Sequence, residues 1–152
     1  MSLRVDERKP KQIYLEAYDK ALKLTDHVMS VCKPKDKNVN AKHIPKRNAG
    51  LGRQLMEAAI ELGADILEAN NIYVGSNQDT EVRIRNYEDR IRLEENAKRL
   101  TYRMEHIFRV LHFDRPFAES TSHYMMDLLC ETRDLLIGWK ESEIRAVKAL
   151  RK

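Results

Sequence analysis

The sequence predicts an all-α protein in which a single domain, residues 1–152, forms an antiparallel up-down four-helix bundle. Apolar residues recur at steps of three and four in four long blocks, the pattern of helices with one buried face. The chain has only 5 glycines and 4 prolines among its 152 residues. Because short connections join these long amphipathic blocks, consecutive helices are expected to be antiparallel neighbours.

The first two helices are predicted at 11–32 and 46–74. The first ends before Pro34, because a proline disfavours helical backbone in the residue that precedes it, and Pro45 suits the first position of the second helix. Gly63 lies inside the second helix, where a glycine costs about 1 kcal/mol relative to alanine. We therefore expect a neighbouring helix to approach closely at Gly63.

The third and fourth helices are predicted at 80–112 and 120–148. The turn "GSNQD" precedes the third helix, Asp79 or Thr80 serves as its N-cap, and Pro116 follows its end. The fourth helix is predicted to bury Tyr124, Leu128, Leu135, Leu136 and Trp139.

The third helix has an interrupted apolar face. Its C-terminal part is predicted to bury Leu93, Ala97, Leu100, Met104, Ile107 and Leu111. Extended towards the N-terminus, the same face meets the polar residues Asn86, Asp89 and Arg90. Coiled-coil drift of about 20° per heptad is too small to explain this change. We therefore predict that the start of the third helix extends past the bundle.

A second apolar patch, formed by Ile84, Tyr87 and Ile91, lies on nearly the opposite side of the third helix. Two interpretations are open. The patch either contacts the end of the second helix near Ile72 and Tyr73, or it forms an interface between subunits of a homo-oligomer.

Two sets of basic residues differ in their surroundings. Along the third helix, Arg85, Arg92 and Arg99 each follow a glutamate by four residues, the favourable order for ion pairs within a helix. We predict a neutralised, solvated face there. Between Cys32 and Gln54, in contrast, Asp36 is the sole acid among seven basic residues.

We call the loop end that carries these cations the basic pole. In an up-down bundle the first and third connections lie at the same end. The predicted members are Lys33, Lys35, Lys37, Lys42, Lys46, Arg47, Arg53, Arg109 and Arg115, with His112 and His123 nearby. Such a patch either contacts phosphates or an acidic protein, or serves solubility alone. Because no aromatic residues are interleaved with the loop cations, dedicated recognition of single strands is not expected.

The sequence carries no recognisable catalytic or metal-binding motif. The five histidines have no zinc spacing with Cys32 or Cys130, and paired Glu-x-x-His motifs are absent. An acidic line of Glu57, Glu61, Asp65 and Glu68 is interpreted as a solvated face. We therefore predict a protein that is not an enzyme and that uses no cofactor or metal.

The expected compartment is the cytoplasm. Cys32 and Cys130 lie within apolar helical patterns, which predicts reduced, buried thiols. No apolar run approaches the roughly 20 residues that span a bilayer, and the first residues lack the apolar region of a signal peptide.

Three segments resemble a known four-helix-bundle family. They are "IPKRNAGLGRQLMEAAIELGADILEAN" from Ile44 to Asn70, "YRMEHIFRVLHF" from Tyr102 to Phe113, and "LLIGWKES" from Leu135 to Ser142. The family includes the accessory variability determinants of diversity-generating retroelements, and a related branch is encoded in intervening sequences of bacterial large-subunit ribosomal RNA genes.

The resemblance implies a non-enzymatic accessory protein that assembles as a ring-like homopentamer. It would bind RNA or DNA and a reverse transcriptase through its basic surface. The ribosomal RNA branch implies the alternative, a structural or protein-interaction oligomer without nucleic-acid binding.

Overall fold

The structure is a computed structural model that describes residues 10–32 and 46–152, with side chains from 13–32 and 47–152. It contains α1 (Pro10–Cys32), α2 (Ala49–Asn71), α3 (Thr80–Asp114) and α4 (Glu119–Leu150). A single turn of 3-10 helix, Lys46–Asn48, precedes α2. Neither described range contains a β-strand, so the predicted all-α class is confirmed.

The helices pack antiparallel in chain order, and α1 closes the bundle against α4. Between α3 and α4, Arg90 bonds to Glu143 whereas Thr101 bonds to Arg133, so residue numbers rise along one helix as they fall along the other. The same order holds between α2 and α3, where the bonded pairs are Asn48–Asp114 and Asp65–Asn96.

The core is lined by the predicted apolar stripes. Trp139 is fully buried and packs against Tyr14, with 6.0 Å between ring centroids. Ala17 and Ala59 are fully buried, and α1 lies close to α2 at Ala59, whose carbonyl accepts a hydrogen bond from Thr25 Oγ1 at 3.3 Å. Tyr124 departs from the prediction, because it remains 45% exposed at the start of α4 and packs edge-on against His27.

The end of α2 comes three residues earlier than predicted. Ile72 already has extended backbone, with ψ 117°, and Val74 follows outside the helix. Side chains of α3 satisfy the backbone carbonyls freed in this way: Arg90 binds Ile72 O, Asn86 binds Tyr73 O and Arg83 binds Val74 O. The start of α3 therefore extends beyond the end of α2 and packs along the connection between the two helices.

Gly63 does not mark a close helix contact. Apart from atoms of its own helix backbone and chain neighbours, nothing lies within 4 Å of the position that a Cβ atom would take on Gly63 or on Gly138. The expectation of a close approach was wrong, because this position of α2 turns towards open space.

Replacing Gly63 by alanine is expected to raise the free energy of unfolding by about 1 kcal/mol, because alanine reduces the backbone entropy of the unfolded chain without a clash. Urea denaturation monitored by circular dichroism measures the change. Gly138→Ala provides a second test in α4. A loss of stability in either variant would contradict the open surroundings of these positions.

Candidate functional site

The first and third connections meet at one end of the bundle, as predicted. Arg47 and Asn48, which precede α2, both bind Asp114 at the end of α3. Cys32, at the end of α1, donates its thiol to Gly52 O over 3.6 Å. The predicted pole residues Lys33, Lys35, Lys37 and Lys42, and the side chain of Lys46, lie outside the described residues.

Part of the charge at the basic pole is compensated locally. Arg47 donates to Asp114 through Nε at 3.2 Å and Nη2 at 3.0 Å. The hydrogen bond from Asn48 and those from Arg47 lower the pKa of Asp114. Arg109 lies 3.1 Å from Glu105, whose pKa is lowered mainly by Arg133 and also by Arg109.

Arg53 and Arg115 are the uncompensated arginines of the predicted set. Both side chains are exposed, and neither has an ion-pair partner among the carboxylates of residues 13–32 and 47–152. Arg53 lies in the first turns of α2 and Arg115 directly follows α3, so both belong to the loop end. Of the predicted pole residues whose side chains are described, these two are thus available for an anionic partner.

One aromatic side chain at this end was not expected from the sequence. Phe113, in the last turn of α3, is 92% exposed. The expectation that single strands are not recognised was based on residues Cys32–Gln54, which contain no Phe, Tyr or Trp. It did not include the end of α3. The spacing of apolar residues along α3 could have identified this exposed ring, because Phe113 is not on the helix face that contains the buried Phe108 and Leu111.

Two of the three arginines of α3 that were predicted to be neutralised have an acidic partner. Arg99 pairs with Glu95 at 3.8 Å as predicted, whereas Arg92 pairs with Asp89. Glu88 pairs instead with Arg151 at 3.4 Å, and the exposed Arg85 has no ion-pair partner among the described carboxylates. Because Asp89 lies three residues before Arg92, it takes the place predicted for Glu88. The local pairing disfavours this face as a site for an anion.

One member of the polar interruption in α3, Arg90, belongs to a buried ionic cluster, whereas Asn86 and Asp89 are half-buried. We call Arg90, Glu94 and Glu143 the buried triad; their exposed fractions are 8%, 1% and 2%. Arg90 binds Glu143 Oε1 through Nε at 2.9 Å and Nη2 at 2.7 Å. The Arg90 guanidinium also lies 5.6 Å from the ring centroid of Trp139. The core face therefore continues through Arg90, and the prediction that it ends there was wrong.

The buried triad holds one proton between its two carboxyl groups. Burial, reinforced by the charge of Glu143, raises the pKa of Glu94 to about 10. Burial also raises the pKa of Glu143, but Arg90 opposes that rise. No described nitrogen or hydroxyl group donates to Glu94. At neutral pH, Glu94 is thus the neutral acid and Glu143 the carboxylate paired with Arg90.

This protonation pattern could also suggest acid-base chemistry, but the geometry favours a packing role. Glu94 and Glu143 lie inside the core, and the triad joins α3, α4 and the end of α2. Buried ionic groups of this kind can specify one alignment of helices at some cost in stability. We interpret the buried triad as the element that fixes the alignment of α3 against α4.

Two of the three residues of the apolar patch, Tyr87 and Ile91, lie beside the end of α2 and the residues that follow it, in line with the first of the two interpretations. All three side chains of the patch are half-buried. Tyr87 shares a cavity of about 350 Å³ with Asn70 and Val74. Ile91 shares a groove of about 980 Å³ with Ile72.

Two expectations about single residues need correction. Cys130 is exposed, whereas Cys32 is half-buried and its burial raises the thiol pKa to about 11. Asp65 is buried rather than solvated, and it accepts a hydrogen bond from Asn96. Desolvation raises the pKa of Asp65 despite that bond. Both positions adjoin fully buried residues of their helices, Ile66 and Leu129, so they lie at the edges of the buried faces.

The described residues contain no group of three or more His, Cys, Asp or Glu side chains arranged to hold a metal ion. Among the described helices, none has the length and apolar character needed to cross a membrane. In comparisons of the chain with protein-family models, curated proteins and solved structures, no match was found.

Proposed function

We propose that this protein is a non-enzymatic nucleic-acid-binding protein that contacts phosphates of RNA or DNA with its basic pole. The observation that carries the proposal is the exposure of Arg53 and Arg115 at one end, without ion-pair partners among the described carboxylates. In the sequence, residues 33–45 between α1 and α2 carry four further lysines, which we expect to add to this charge. Arg53 and Arg115 come from two parts of the chain whose described ends meet through the contact of Arg47 with Asp114.

The expected binding mode is electrostatic and largely independent of base sequence. Each arginine or lysine that neutralises a phosphate releases a condensed counterion, so affinity falls steeply as salt concentration rises. Arg47 and Arg109 are expected to contribute less than Arg53 or Arg115, because Asp114 and Glu105 already neutralise them.

The family resemblance of the three sequence segments supports a more specific role, as an accessory protein of a diversity-generating retroelement that also binds the reverse transcriptase. That partner, the ring-like homopentamer and the cytoplasmic location stay predictions. The local pairing of Arg47 and Arg109 is the observation that favours the second candidate, an oligomeric protein-interaction module without nucleic-acid binding.

A salt titration separates the two candidates. Replacing Lys42, Lys46, Arg47 and Arg53 by glutamine is expected to weaken duplex binding at least about tenfold. The same change should flatten the salt dependence by about one unit of slope for each phosphate that is no longer neutralised. Fluorescence polarisation with labelled duplex DNA and duplex RNA measures both quantities, and circular dichroism checks that helicity is retained.

The matched control removes four positive charges from the opposite end of the bundle, through Arg85→Gln, Arg145→Gln, Lys148→Gln and Lys152→Gln. If binding depends only on net charge, both variants will lose affinity equally, and the basic pole is not the site. If the unmodified protein shows no salt-dependent binding at all, the second candidate is correct.

A further inference from the structure

The Phe113 side chain is exposed to solvent and contributes little to the packing of the bundle. Its side chain is 92% exposed, whereas Phe108 and Phe117 at the same end stack on each other with 4.9 Å between ring centroids. His112 joins that stack, and its Nδ1 accepts a hydrogen bond from the Phe117 backbone N–H. Phe113 is therefore the one described phenylalanine that offers both of its ring faces to a partner.

The surroundings of Phe113 favour an anionic partner. Arg109 lies one helical turn earlier on α3, and Arg115 follows two residues later; both are exposed. The neighbouring carboxylate, Asp114, is occupied by Arg47 and Asn48. An aromatic ring flanked by arginines is suited to a ligand that combines flat rings with phosphates, which is the chemistry of an unpaired nucleotide.

We infer that Phe113 stacks on a base of single-stranded nucleic acid while Arg115 and Arg109 contact the adjacent phosphates. This inference rests on the proposed function and adds to it the class of nucleic acid. It reverses the expectation that recognition of single strands is absent at this end, because that expectation considered only the loop residues. A duplex, whose bases are already stacked and paired, would gain nothing from Phe113.

The test compares three labelled probes by fluorescence polarisation: an oligothymidylate, an abasic strand of the same length, and a duplex. Phe113→Ala is expected to weaken oligothymidylate binding about 5- to 150-fold, the range for loss of one base–aromatic stack. Binding of the abasic strand and of the duplex should stay within about twofold of the unmodified protein, because phosphate contacts supply that affinity. Phe113→Trp should retain oligothymidylate binding, and oligothymidylate should quench its added fluorescence.

Tyr73→Ala is the matched control, because Tyr73 is an exposed aromatic residue at the opposite end of the bundle, between α2 and α3. It should leave all three affinities unchanged. The inference is overturned if Phe113→Ala leaves oligothymidylate binding unchanged, or if it weakens all three probes equally.

Loss of self-association without loss of binding, seen by light scattering of Phe113→Ala, would assign Phe113 to a contact between copies of the chain and also overturn the inference. If the unmodified protein binds none of the three probes, the proposed function itself fails.

Discussion

Replacing Glu94 by glutamine is expected to stabilise the protein at neutral and alkaline pH and to remove a large part of the pH dependence of its stability. Glu94 has an ordinary pKa of 4.5 in the unfolded chain and a pKa of about 10 in the folded protein. Between these values the folded state binds a proton that the unfolded state has released. The stability contributed by Glu94 is therefore complete below about pH 4.5 and is lost progressively as the pH rises towards about 10.

The size of this effect follows from proton linkage. One bound proton lowers the free energy of unfolding by about 1.4 kcal/mol for each unit of pH increase. Glutamine has the size of protonated glutamate, stays neutral at every pH and carries an N–H donor in place of the acid's O–H. The Glu94→Gln variant should therefore match the unmodified protein near pH 5 and exceed its stability by about 2 kcal/mol or more at pH 8.

Urea denaturation at a series of pH values measures this difference. Asp65 contributes a pH dependence of the same sign in the variant, because burial raises its pKa as well. Glu57→Gln on the exposed face of α2 is the control and should leave the pH profile unchanged. If Glu94→Gln is less stable than the unmodified protein at pH 8, Glu94 is ionised in the folded state and the assignment of the proton is wrong.

The helices were predictable from sequence because their apolar spacing is regular over many turns. The predicted bounds of α1 and α4 are within two residues of those observed, Pro10–Cys32 and Glu119–Leu150. The end of α2 was less predictable, because Ile72 continues the apolar pattern although its backbone has left the helix. One contact that stabilises the end of α2 there is the hydrogen bond from Arg90 to Ile72 O, which joins residues 18 positions apart.

The buried triad could not be recognised from the spacing of apolar residues. A polar residue on an apolar face normally indicates solvent, and Arg90 is buried only because Glu143, 53 positions away, supplies a carboxylate. At the basic pole, too, the pairing of charges was not predictable from the sequence. Its position followed from helix topology, but the pairing of Arg47 with Asp114 depends on side chains 67 positions apart. Patterns within one helix predict its buried face and do not predict which charges meet across helices.

The buried triad also makes Arg90 a residue whose loss should strongly destabilise the fold. Arg90→Met is expected to lower the free energy of unfolding by about 3–5 kcal/mol, because it leaves Glu143 buried without its cation and frees the carbonyl of Ile72. Part of this loss is relieved when Glu143 takes up a proton, so the variant should be least impaired at acidic pH. Arg92→Met, an exposed arginine on the same helix, should change stability by less than about 1 kcal/mol.

A double-mutant cycle measures the interaction of Arg90 with Glu143 separately from the other contacts of Arg90. Once Arg90 is replaced by methionine, a second change of Glu143 to glutamine removes the unpaired charge, so the double variant should lose less stability than the sum of the single variants. We expect a coupling free energy of about 1–3 kcal/mol from urea denaturation at neutral pH. Additive losses would mean that Arg90 acts through Ile72 and Trp139 rather than through Glu143. Arg90 contacts Ile72 after the end of α2, Glu143 of α4 and the ring of Trp139. Its removal should therefore also increase amide exchange in the connection from Ile72 to Val74. This increase should appear before any increase in the centres of the helices.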